Sequence, residues 1–317
     1  MLNANQIAQF ERDGFLVIDD VIDPDRIIAP IKAEYAALLD DLYLTWFSQG
    51  KVTVNPVGLS FEDKLIIAYR AGCDWFQPMD ISLPGDRIQH DTPMHFGQAV
   101  FDLVTDKHLL DVVESLIGGE LTSNPIQHVR IKPPAKTLQA DEVRAHVGGT
   151  AWHQDRAVAH EEADTTQMVT VWCAITDATV ENGCLQAIPR HSGDTMRPHC
   201  PQRQTAIAPG YLDESEAVPL PVKAGGIVLL HPLTPHASLD NNSNGIRWSF
   251  DLRYNVTGQP TGRSHFPSFV ARSRIKPASE MRSAETWRTL WEEARDRLAE
   301  QPHIDIHRWS ADAPACA

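Results

Sequence analysis

The chain has 317 residues, with 28 Lys and Arg against 42 Asp and Glu, which gives a formal net charge of −14. Hydrophobic residues make up 42% of the chain and charged residues 22%, values typical of a globular protein and not of a disordered one. The acidic balance argues against nucleic acid or an anionic membrane surface as a partner. No apolar stretch approaches the roughly 20 residues of a membrane-spanning helix, and no signal peptide is recognisable. We therefore expect a cytoplasmic protein.

The first part of the chain is predicted to be mainly helical. Its predicted elements are a helix over residues 5–12, a strand over 15–18, a helix from 23 to about 41 and a helix over 99–116. Asp23 and Pro24 supply a side-chain cap and a first helical residue, and Gly118 with Gly119 ends the last of these helices. We expect a helical flank over about residues 1–120.

The second part changes to short strands separated by turn residues. The predicted strands are residues 126–131, 168–175, 183–188, 226–230 and 246–254. Such a run is typical of a barrel or a double-sheet roll, here over about residues 124–256. An amphipathic helix over 283–300 lies in a helical tail of about 275–317. No linker divides the chain, so we expect a single domain over residues 1–317.

The histidines are the residues that are most informative about a possible active site. The five cysteines are an odd number and contain no Cys-x-x-Cys pair, so they indicate neither a disulfide framework nor a zinc ribbon. The chain has 14 histidines, and histidine is both the commonest metal ligand and the commonest acid or base.

An ordered set of residues in the strand-rich part fits a mononuclear iron site. His153-Gln154-Asp155 is followed much later by His236 and then by Arg247. Two imidazoles and one carboxylate can bind one face of Fe(II) and leave positions for a co-substrate and O2. The tripeptide alone is weak, because His-x-Asp arises about once by chance in such a chain. A second copy, His303-Ile304-Asp305, has no strand and no arginine after it.

Arg247 would suit a dicarboxylate that chelates the iron. Its guanidinium can grip a carboxylate with two parallel hydrogen bonds, and Ser238 could add another. The alternative is that Arg247, Ser249, Asp251 and Arg253 form a solvated face of an alternating strand. In a roll this face lines the cavity or meets water, and the sequence does not decide which.

Five stretches together resemble the phytanoyl-CoA dioxygenase family of Fe(II)- and 2-oxoglutarate-dependent oxygenases. They are residues 10–21 (FERDGFLVIDDV), 132–134 (KPP), 152–155 (WHQD), 181–192 (ENGCLQAIPRHS) and 231–238 (HPLTPHAS) with Arg247. The resemblance implies a mainly β protein with a double-stranded β-helix core, which is a jelly-roll or cupin-like architecture, flanked by N-terminal and C-terminal helices. It finds no counterpart for residues 42–91, 144–150 or the tail after about 274.

The resemblance also implies the roles of the site residues. His153, Asp155 and His236 would ligate iron, and Arg247 with Ser238 would hold the distal carboxylate of 2-oxoglutarate. Lys132 would touch the other end of the co-substrate, and Gln127, on the preceding strand, is a further candidate contact. The implied reaction hydroxylates an unactivated C–H bond with release of succinate and CO2. Desaturation or ring closure stays open, whereas Asp155 disfavours halogenation.

The substrate and the partners are less defined by the sequence. Arg130, Arg156, Thr170, Trp172 and Arg253 are candidate substrate contacts, and an anionic substrate is favoured if several of these arginines line the cavity. We expect a small free metabolite or natural-product intermediate, and a monomer or a homo-oligomer. The rival functions are a non-redox cupin-like metalloenzyme and a roll-fold binding protein whose histidines are core residues.

Overall fold

Two antiparallel sheets face each other at the centre of the structure, and most of the helices lie outside one of them.

The computed structural model describes residues 1–85, 87–142, 144–190, 195–201, 204–301 and 308–316. His191, Ser192 and the second His-x-Asp copy, His303-Ile304-Asp305, lie outside the described residues. Within those ranges, no helix combines the length and the apolar character needed to cross a bilayer.

Seven α-helices occur in the described residues. They are α1 (Ala4–Asp13), α2 (Ala29–Ser48), α3 (Phe61–Arg70), α4 (Phe76–Met79), α5 (Gln98–Val104), α6 (Lys107–Ile117) and α7 (Ala284–Ala299). A single π-helical turn, Pro24–Ile28, leads directly into α2, and the Asp23 side chain accepts hydrogen bonds from the first backbone N–H groups of this turn. The helical flank predicted for the first 120 residues is therefore present, and it includes two helices, α3 and α4, that the sequence pattern did not reveal.

The helix predicted over 99–116 is two helices, α5 and α6. The Asp106 side chain accepts hydrogen bonds from the backbone N–H groups of His108 and Leu109, which starts a new helix after a break at Thr105. Aspartate is a strong N-cap, which explains where α6 begins. The helical spacing of the apolar residues continues unchanged through the break, so this spacing alone predicts one helix.

The strands form two main sheets and a small hairpin. They are β1 (Phe15–Ile18), β2 (Glu120–Lys132), β3 (Thr150–His153), β4 (Met168–Ala174), β5 (Leu185–Ala187), β6 (His199–Pro201), β7 (Thr205–Ile207), β8 (Val218–Leu220), β9 (Ile227–Leu230), β10 (His236–Ser238), β11 (Arg247–Val256) and β12 (Phe269–Ser273). The six-stranded sheet has the order β1-β9-β4-β11-β2-β12, and the four-stranded sheet has the order β3-β10-β5-β8. Strands β6 and β7 pair with each other.

Strand β11 separates an apolar face from a polar one. Its apolar residues Trp248, Phe250, Leu252 and Tyr254 share one core cluster with residues of the helices. Tyr35 of α2 meets the rings of Trp248 and Phe250 edge-on, with ring centroids 5.1 and 5.9 Å away. Burying each such side chain contributes about 1.5–3 kcal/mol, so this layer holds the helices on the sheet.

The polar face of β11 is buried as well. Arg247, Ser249, Asp251 and Arg253 are all nearly inaccessible to solvent. Further along the same interior, Trp172 and Val228 of the large sheet share a second hydrophobic cluster with Leu185 and Leu220 of the small sheet. The polar face of β11 therefore lines the space between the sheets. The sequence left open whether this face lines a cavity or meets water, and its burial favours the cavity.

A disulfide bond joins Cys200 of β6 to Cys316, near the end of the chain. The cysteine count and spacing gave no sign of this bond, because the two residues are 116 positions apart and only the fold brings them together. Cys73, Cys173 and Cys184 are buried free thiols. The last described segment, residues 308–316, is thereby fastened to the strand-rich half of the protein.

Candidate active site

The three candidate metal ligands meet between the two sheets. His153 ends β3, Asp155 begins the 3-10 turn after it, and His236 begins β10, directly opposite His153 in the β3–β10 pairing. The imidazole centroids are 4.2 Å apart, and Nε2 of His153 and Nε2 of His236 lie 3.8 and 3.9 Å from the Asp155 carboxylate oxygens. All three candidate ligand atoms lie within 4.8 Å of one another, and all three residues are buried.

Backbone carbonyl groups orient both imidazoles. Nδ1 of His153 lies 2.8 Å from the carbonyl oxygen of Ala151, and Nδ1 of His236 lies 3.0 Å from that of Thr234. A carbonyl can only accept, so each Nδ1 donates to it, which leaves each Nε2 directed toward Asp155 as the candidate metal-binding atom. Burial, reinforced by the neighbouring His236, lowers the pKa of His153 to about 3, so its imidazole is neutral at physiological pH.

Two neighbouring side chains hold the carboxylate of Asp155. Thr170 of β4 donates its hydroxyl to Oδ2 at 2.5 Å, and Arg253 of β11 donates from Nη2 to Oδ1. Burial alone would raise the pKa of Asp155, but the charge of Arg253 is the main cause that holds it well below its usual range. Two imidazoles and one carboxylate form the donor set that suits non-haem Fe(II).

Arg247 is buried beside the cluster of His153, Asp155 and His236, and part of its guanidinium has no hydrogen-bond partner among the described residues. It is 0% exposed, and it lines the same small cavity as His153 and His236. Nη1 donates to Ser249 Oγ at 2.7 Å, and the guanidinium carbon lies 5.1 Å from the ring centroid of Trp172. Nε and Nη2 have no hydrogen-bond partner among the described residues.

That arrangement fits a bound carboxylate. Burial lowers the pKa of Arg247 to about 9, and the positive charge of Arg130 adds to the effect. A buried cation with two free N–H donors on one edge is costly unless an anion pairs with it. The distal carboxylate of a dicarboxylic acid has the charge and the geometry to satisfy both donors.

Lys132 and Ser238 lie at this same end of the cavity. Lys132 is directly opposite Arg247 in the β2–β11 pairing, and its Nζ donates to Ser238 Oγ at 2.6 Å. Burial lowers the pKa of Lys132 well below its usual value, with the charge of Arg247 adding to the effect. Strand register places Lys132 beside Arg247, with Ser238 in hydrogen-bond contact. Which end of the co-substrate Lys132 and Ser238 would contact stays a prediction.

Other groups of the protein already form hydrogen bonds or ion pairs with three further candidate contacts, Gln127, Arg130 and Arg156. Gln127 lies apart from the cavity and donates its amide to the carbonyl oxygen of Ile81, so its place among the co-substrate contacts is corrected. Arg130 pairs with Asp251 at 3.0 Å, while Arg156 donates to the backbone carbonyls of Ala163 and Thr166. With Arg253 on Asp155 as well, these arginines no longer support an anionic substrate.

Gln154, between the two N-terminal ligands, has a role that the motif did not reveal. Its side chain is fully buried and donates to the carbonyl oxygen of Leu233 at 2.6 Å, on the turn that leads to His236. Its backbone N–H donates to Nε2 of His199 at 3.1 Å. Gln154 thus ties the two ligand-bearing segments together. No sequence signal distinguishes it, because any residue fits the middle position of His-x-Asp.

The disulfide-linked segment covers the outside of the same loop. Trp309 donates Nε1 to the carbonyl oxygen of Ala157 at 2.8 Å and stacks on the ring of His199 at 5.2 Å. Arg308 forms an ion pair with Asp164. Residues 308–316 therefore lie over the turn that carries Asp155, and the Cys200–Cys316 bond holds them there.

Residues 10–249 match the sequence profile of the family described as phytanoyl-CoA dioxygenase (PhyH). The chain belongs to the phytanoyl-CoA dioxygenase family. This confirms the resemblance on which the sequence-based assignment was made. Family membership, together with the His–Asp–His cluster, supports iron- and 2-oxoglutarate-dependent chemistry at this site.

Curated members of the phytanoyl-CoA dioxygenase family match over most of their length. Phytanoyl-CoA dioxygenase domain-containing protein 1 of Danio rerio is 34% identical over 273 residues, which is 78% of this chain and 88% of that protein. The homolog from Caenorhabditis elegans is 26% identical over 269 residues, 77% of this chain and 88% of its own length.

Solved structures share the fold. The apo form of the non-heme monooxygenase ThoJ superposes with a TM-score of 0.57 at 19% identity, covering 93% of this chain and 98% of ThoJ. The epimerase SnoN, in complex with Fe3+, alpha-ketoglutarate and nogalamycin RO, gives 0.51 at 18% identity, with 81% and 86% covered. The predicted jelly-roll core with flanking helices is confirmed.

Proposed function

We propose that this protein is an Fe(II)- and 2-oxoglutarate-dependent dioxygenase that hydroxylates an unactivated C–H bond of a small-molecule metabolite or natural-product intermediate. His153, Asp155 and His236 would hold the iron, and Arg247 would hold the distal carboxylate of 2-oxoglutarate. When bound, these groups supply the activation of O2, with succinate and CO2 as the co-products. We also propose that the chain works as one domain, since a single core cluster runs from Phe10 to Leu298.

The observation that carries the proposal is the buried guanidinium of Arg247 in the same cavity as two imidazoles. A zinc or manganese isomerase of similar shape needs only the imidazole and carboxylate ligands. It has no use for a buried cation with two N–H groups directed at a second anionic ligand. A dicarboxylate that chelates iron at one end and meets Arg247 at the other accounts for both features.

The residues of the chain would position the reactants and exclude water. Arg247 and Ser238 fix the far end of the co-substrate, and Thr170 with Arg253 keeps the Asp155 carboxylate ionised and oriented. Trp172 and Leu230 add apolar walls to the small cavity. Because the surroundings are buried, the charge of each polar group acts with little screening.

Spectroscopy and product analysis test this function. We expect the purified protein, with Fe(II) and 2-oxoglutarate under anaerobic conditions, to show a weak visible metal-to-ligand charge-transfer band. Exposure to O2 should then release succinate, and a substrate found by screening succinate release should gain one oxygen atom by mass. Loss of two hydrogens from the substrate would instead indicate desaturation or ring closure. Absence of both the band and succinate would overturn the proposal.

The role of Arg247 has its own test. We expect Arg247→Met to weaken 2-oxoglutarate binding by roughly a hundredfold, because a buried paired charge is worth about 2–5 kcal/mol. Fe(II) affinity should change less than about threefold. Calorimetric titration of each ligand checks this, with Arg282→Met, at an exposed arginine, as the control. An equal loss of iron and 2-oxoglutarate binding would mean that Arg247 supports the fold.

A further inference from the structure

A larger cavity of about 430 Å3 lies beside the candidate metal site. The two cavities share a wall made by neighbouring residues of β2 and β11. Arg130 and Asp251 line the metal side, while His128, directly opposite Asp251 in the strand pairing, lines the larger cavity. His146 also lines the larger cavity, with Nδ1 3.4 Å from Nη1 of Arg130. A volume of this order suits a drug-sized ligand.

One imidazole in this cavity, that of His128, is held by a buried aspartate and keeps one ring nitrogen without a described partner. Nδ1 of His128 lies 2.9 Å from Oδ2 of Asp80, a residue that is only 2% exposed. Oδ1 of Asp80 accepts from the backbone N–H groups of Ile81 and Val129, so the aspartate is an acceptor throughout and His128 must donate from Nδ1. Nε2 of His128 points away from this pair, and no hydrogen bond to it occurs within the described residues.

A second imidazole beside it is held as a donor. The ring of His146 lies 5.0 Å from that of His128 and stacks on Phe76 at 4.1 Å. Its Nδ1 faces the guanidinium of Arg130, which can only donate, so the proton of the neutral ring belongs on Nε2. Burial, together with the charge of Arg130, lowers the pKa of His146 well below its usual value and keeps the ring neutral. The two neighbouring rings therefore present the Nε2 donor of His146 and the Nε2 atom of His128 to a ligand.

Several charged groups around the cavity are paired within the protein. Arg144 pairs with Glu142 at 2.8 Å and with Asp74 at 3.5 Å. Arg263 donates to the carbonyl oxygen of Val158 and has further partners. Much of the remaining lining is apolar, including Leu83, Pro125, Ile126 and Phe266. An anionic ligand would lose hydration against this apolar wall and would compete with Asp74 and Glu142 for Arg144.

We propose that this cavity is the substrate site and that it takes an uncharged, mainly apolar ring molecule carrying a hydroxyl group. The hydroxyl donates to Nε2 of His128 and accepts from His146, while the ring carbons contact the apolar wall. The inference rests on the proposed oxygenase function, because the shared Arg130–Asp251 wall places the bound ring next to the candidate metal ligands. It replaces the anionic substrate considered from sequence with a neutral one.

Binding to the metal-free protein tests the recognition step. The probes are matched triplets in which the same fused ring carries hydrogen, a hydroxyl or a carboxylate, beginning with naphthalene, 2-naphthol and 2-naphthoate. We expect the hydroxyl compounds to bind about tenfold more tightly than the other two, by ligand-detected NMR titration. Tighter binding of the carboxylates overturns the proposal. So does no measurable binding by any probe up to its solubility limit.

Two variants tie that preference to the imidazoles. His128→Leu removes the acceptor and His146→Phe removes the donor but keeps the stacking on Phe76, so each should abolish the advantage of the hydroxyl over hydrogen. His90→Leu, at an exposed histidine paired with Glu300, is the matched control and should leave the advantage intact. If His128→Leu does not fold, His146→Phe alone decides. A hydroxyl preference that survives in a folded variant overturns the assignment.

Succinate release separates this inference from the proposed function. With Fe(II) and 2-oxoglutarate bound, hydroxylated ring compounds should accelerate succinate release more than their carboxylate counterparts. If carboxylates are the better activators, the substrate class is wrong while the oxygenase function stands. If the charge-transfer band and succinate are both absent although the alcohols bind, the oxygenase function fails and with it the designation of the cavity as a substrate site.

Discussion

At the scale of single residues, the site depends on the candidate metal ligands and equally on the groups that form hydrogen bonds to them. Each imidazole is oriented by a backbone carbonyl, and the carboxylate of Asp155 is held by Thr170 and Arg253. Such supporting hydrogen bonds fix ligand orientation before a metal arrives. The carbonyl contacts cannot be removed by mutation, but the hydroxyl of Thr170 can.

Thr170→Val is the cleanest test of this support. The substitution keeps shape and removes the 2.5 Å hydrogen bond to Oδ2 of Asp155, so we expect metal affinity to fall about 10–100-fold. Titration with Co(II) as a spectroscopic substitute for Fe(II) measures the change. Thr289→Val, on the exposed side of α7, removes a hydroxyl that bonds only the helix backbone and should leave the affinity unchanged. Unaltered metal binding in Thr170→Val would show that Arg253 alone is sufficient.

At the scale of elements, the ligand segments are joined by Gln154. Its buried amide contacts the turn before His236 through Leu233 and accepts from the backbone N–H of Arg197. Because β3 and β10 are only four and three residues long, their own pairing is a weak restraint on ligand geometry.

We therefore expect Gln154→Leu to affect stability and metal binding together. Leaving the Leu233 carbonyl and the Arg197 N–H without their buried partner should lower the free energy of unfolding by about 2–3 kcal/mol. Metal affinity should fall as well, because His153 and His236 lose their common anchor. Urea unfolding and Co(II) titration measure the two effects. Gln98→Leu, at an exposed glutamine, is the control. A stability loss with unchanged metal affinity would contradict the anchoring role.

The ion pair between Glu142 and Arg144, in the segment just before His146, should make a pH-dependent contribution to the free energy of unfolding. Burial alone would raise the pKa of Glu142, but the hydrogen bonds and charge of Arg144 lower it to about 2. A carboxylate with a lowered folded-state pKa stabilises the protein above its unfolded-state pKa, and this contribution is lost as pH falls toward the folded-state value.

Glu142→Gln tests that sign. We expect it to lower the free energy of unfolding by about 1 kcal/mol at neutral pH, since Arg144 is partly exposed and solvent screens the pair. The difference from the unaltered protein should shrink from about pH 5 down to about pH 2, as the carboxylate is protonated first in the unfolded chain and then in the folded protein. Urea unfolding across this range measures it. A difference that grows with acidity would contradict the assignment.

The sequence predicted the parts of this architecture that depend on local pattern. The alternation of β11, the cap at Asp23 and the ordered set of His153, Asp155, His236 and Arg247 are visible in short windows, and the structure brings the four residues together. The break at Thr105, the short strands β3 and β10 and the roles of Gln154 and His128 were missed. The break has a local cap at Asp106 that the unbroken apolar spacing conceals. The other features each depend on a partner far away in the chain, and a one-dimensional pattern does not carry that information.

At the scale of the whole molecule, the Cys200–Cys316 disulfide closes a loop of more than a hundred residues. We expect its loss in Cys316→Ser to lower the free energy of unfolding by about 2–4 kcal/mol, because the unfolded chain regains the entropy of the open loop. Thermal melts with and without a dithiol reductant check this. The reductant should destabilise the unaltered protein and leave Cys316→Ser unchanged. A melting temperature independent of reductant in both proteins would contradict the bond.

The cross-strand placement of His153 and His236 has a practical consequence. Their separation is set by backbone pairing and by carbonyl contacts, so the three donor atoms are assembled whichever ion occupies them. A preassembled nitrogen and oxygen set follows the general affinity order of the divalent metals, in which nickel, copper and zinc all outcompete ferrous iron. Protein purified from cells or over a nickel resin would then carry a mixture reflecting supply. Chelation followed by anaerobic iron loading is consequently a precondition for meaningful turnover measurements.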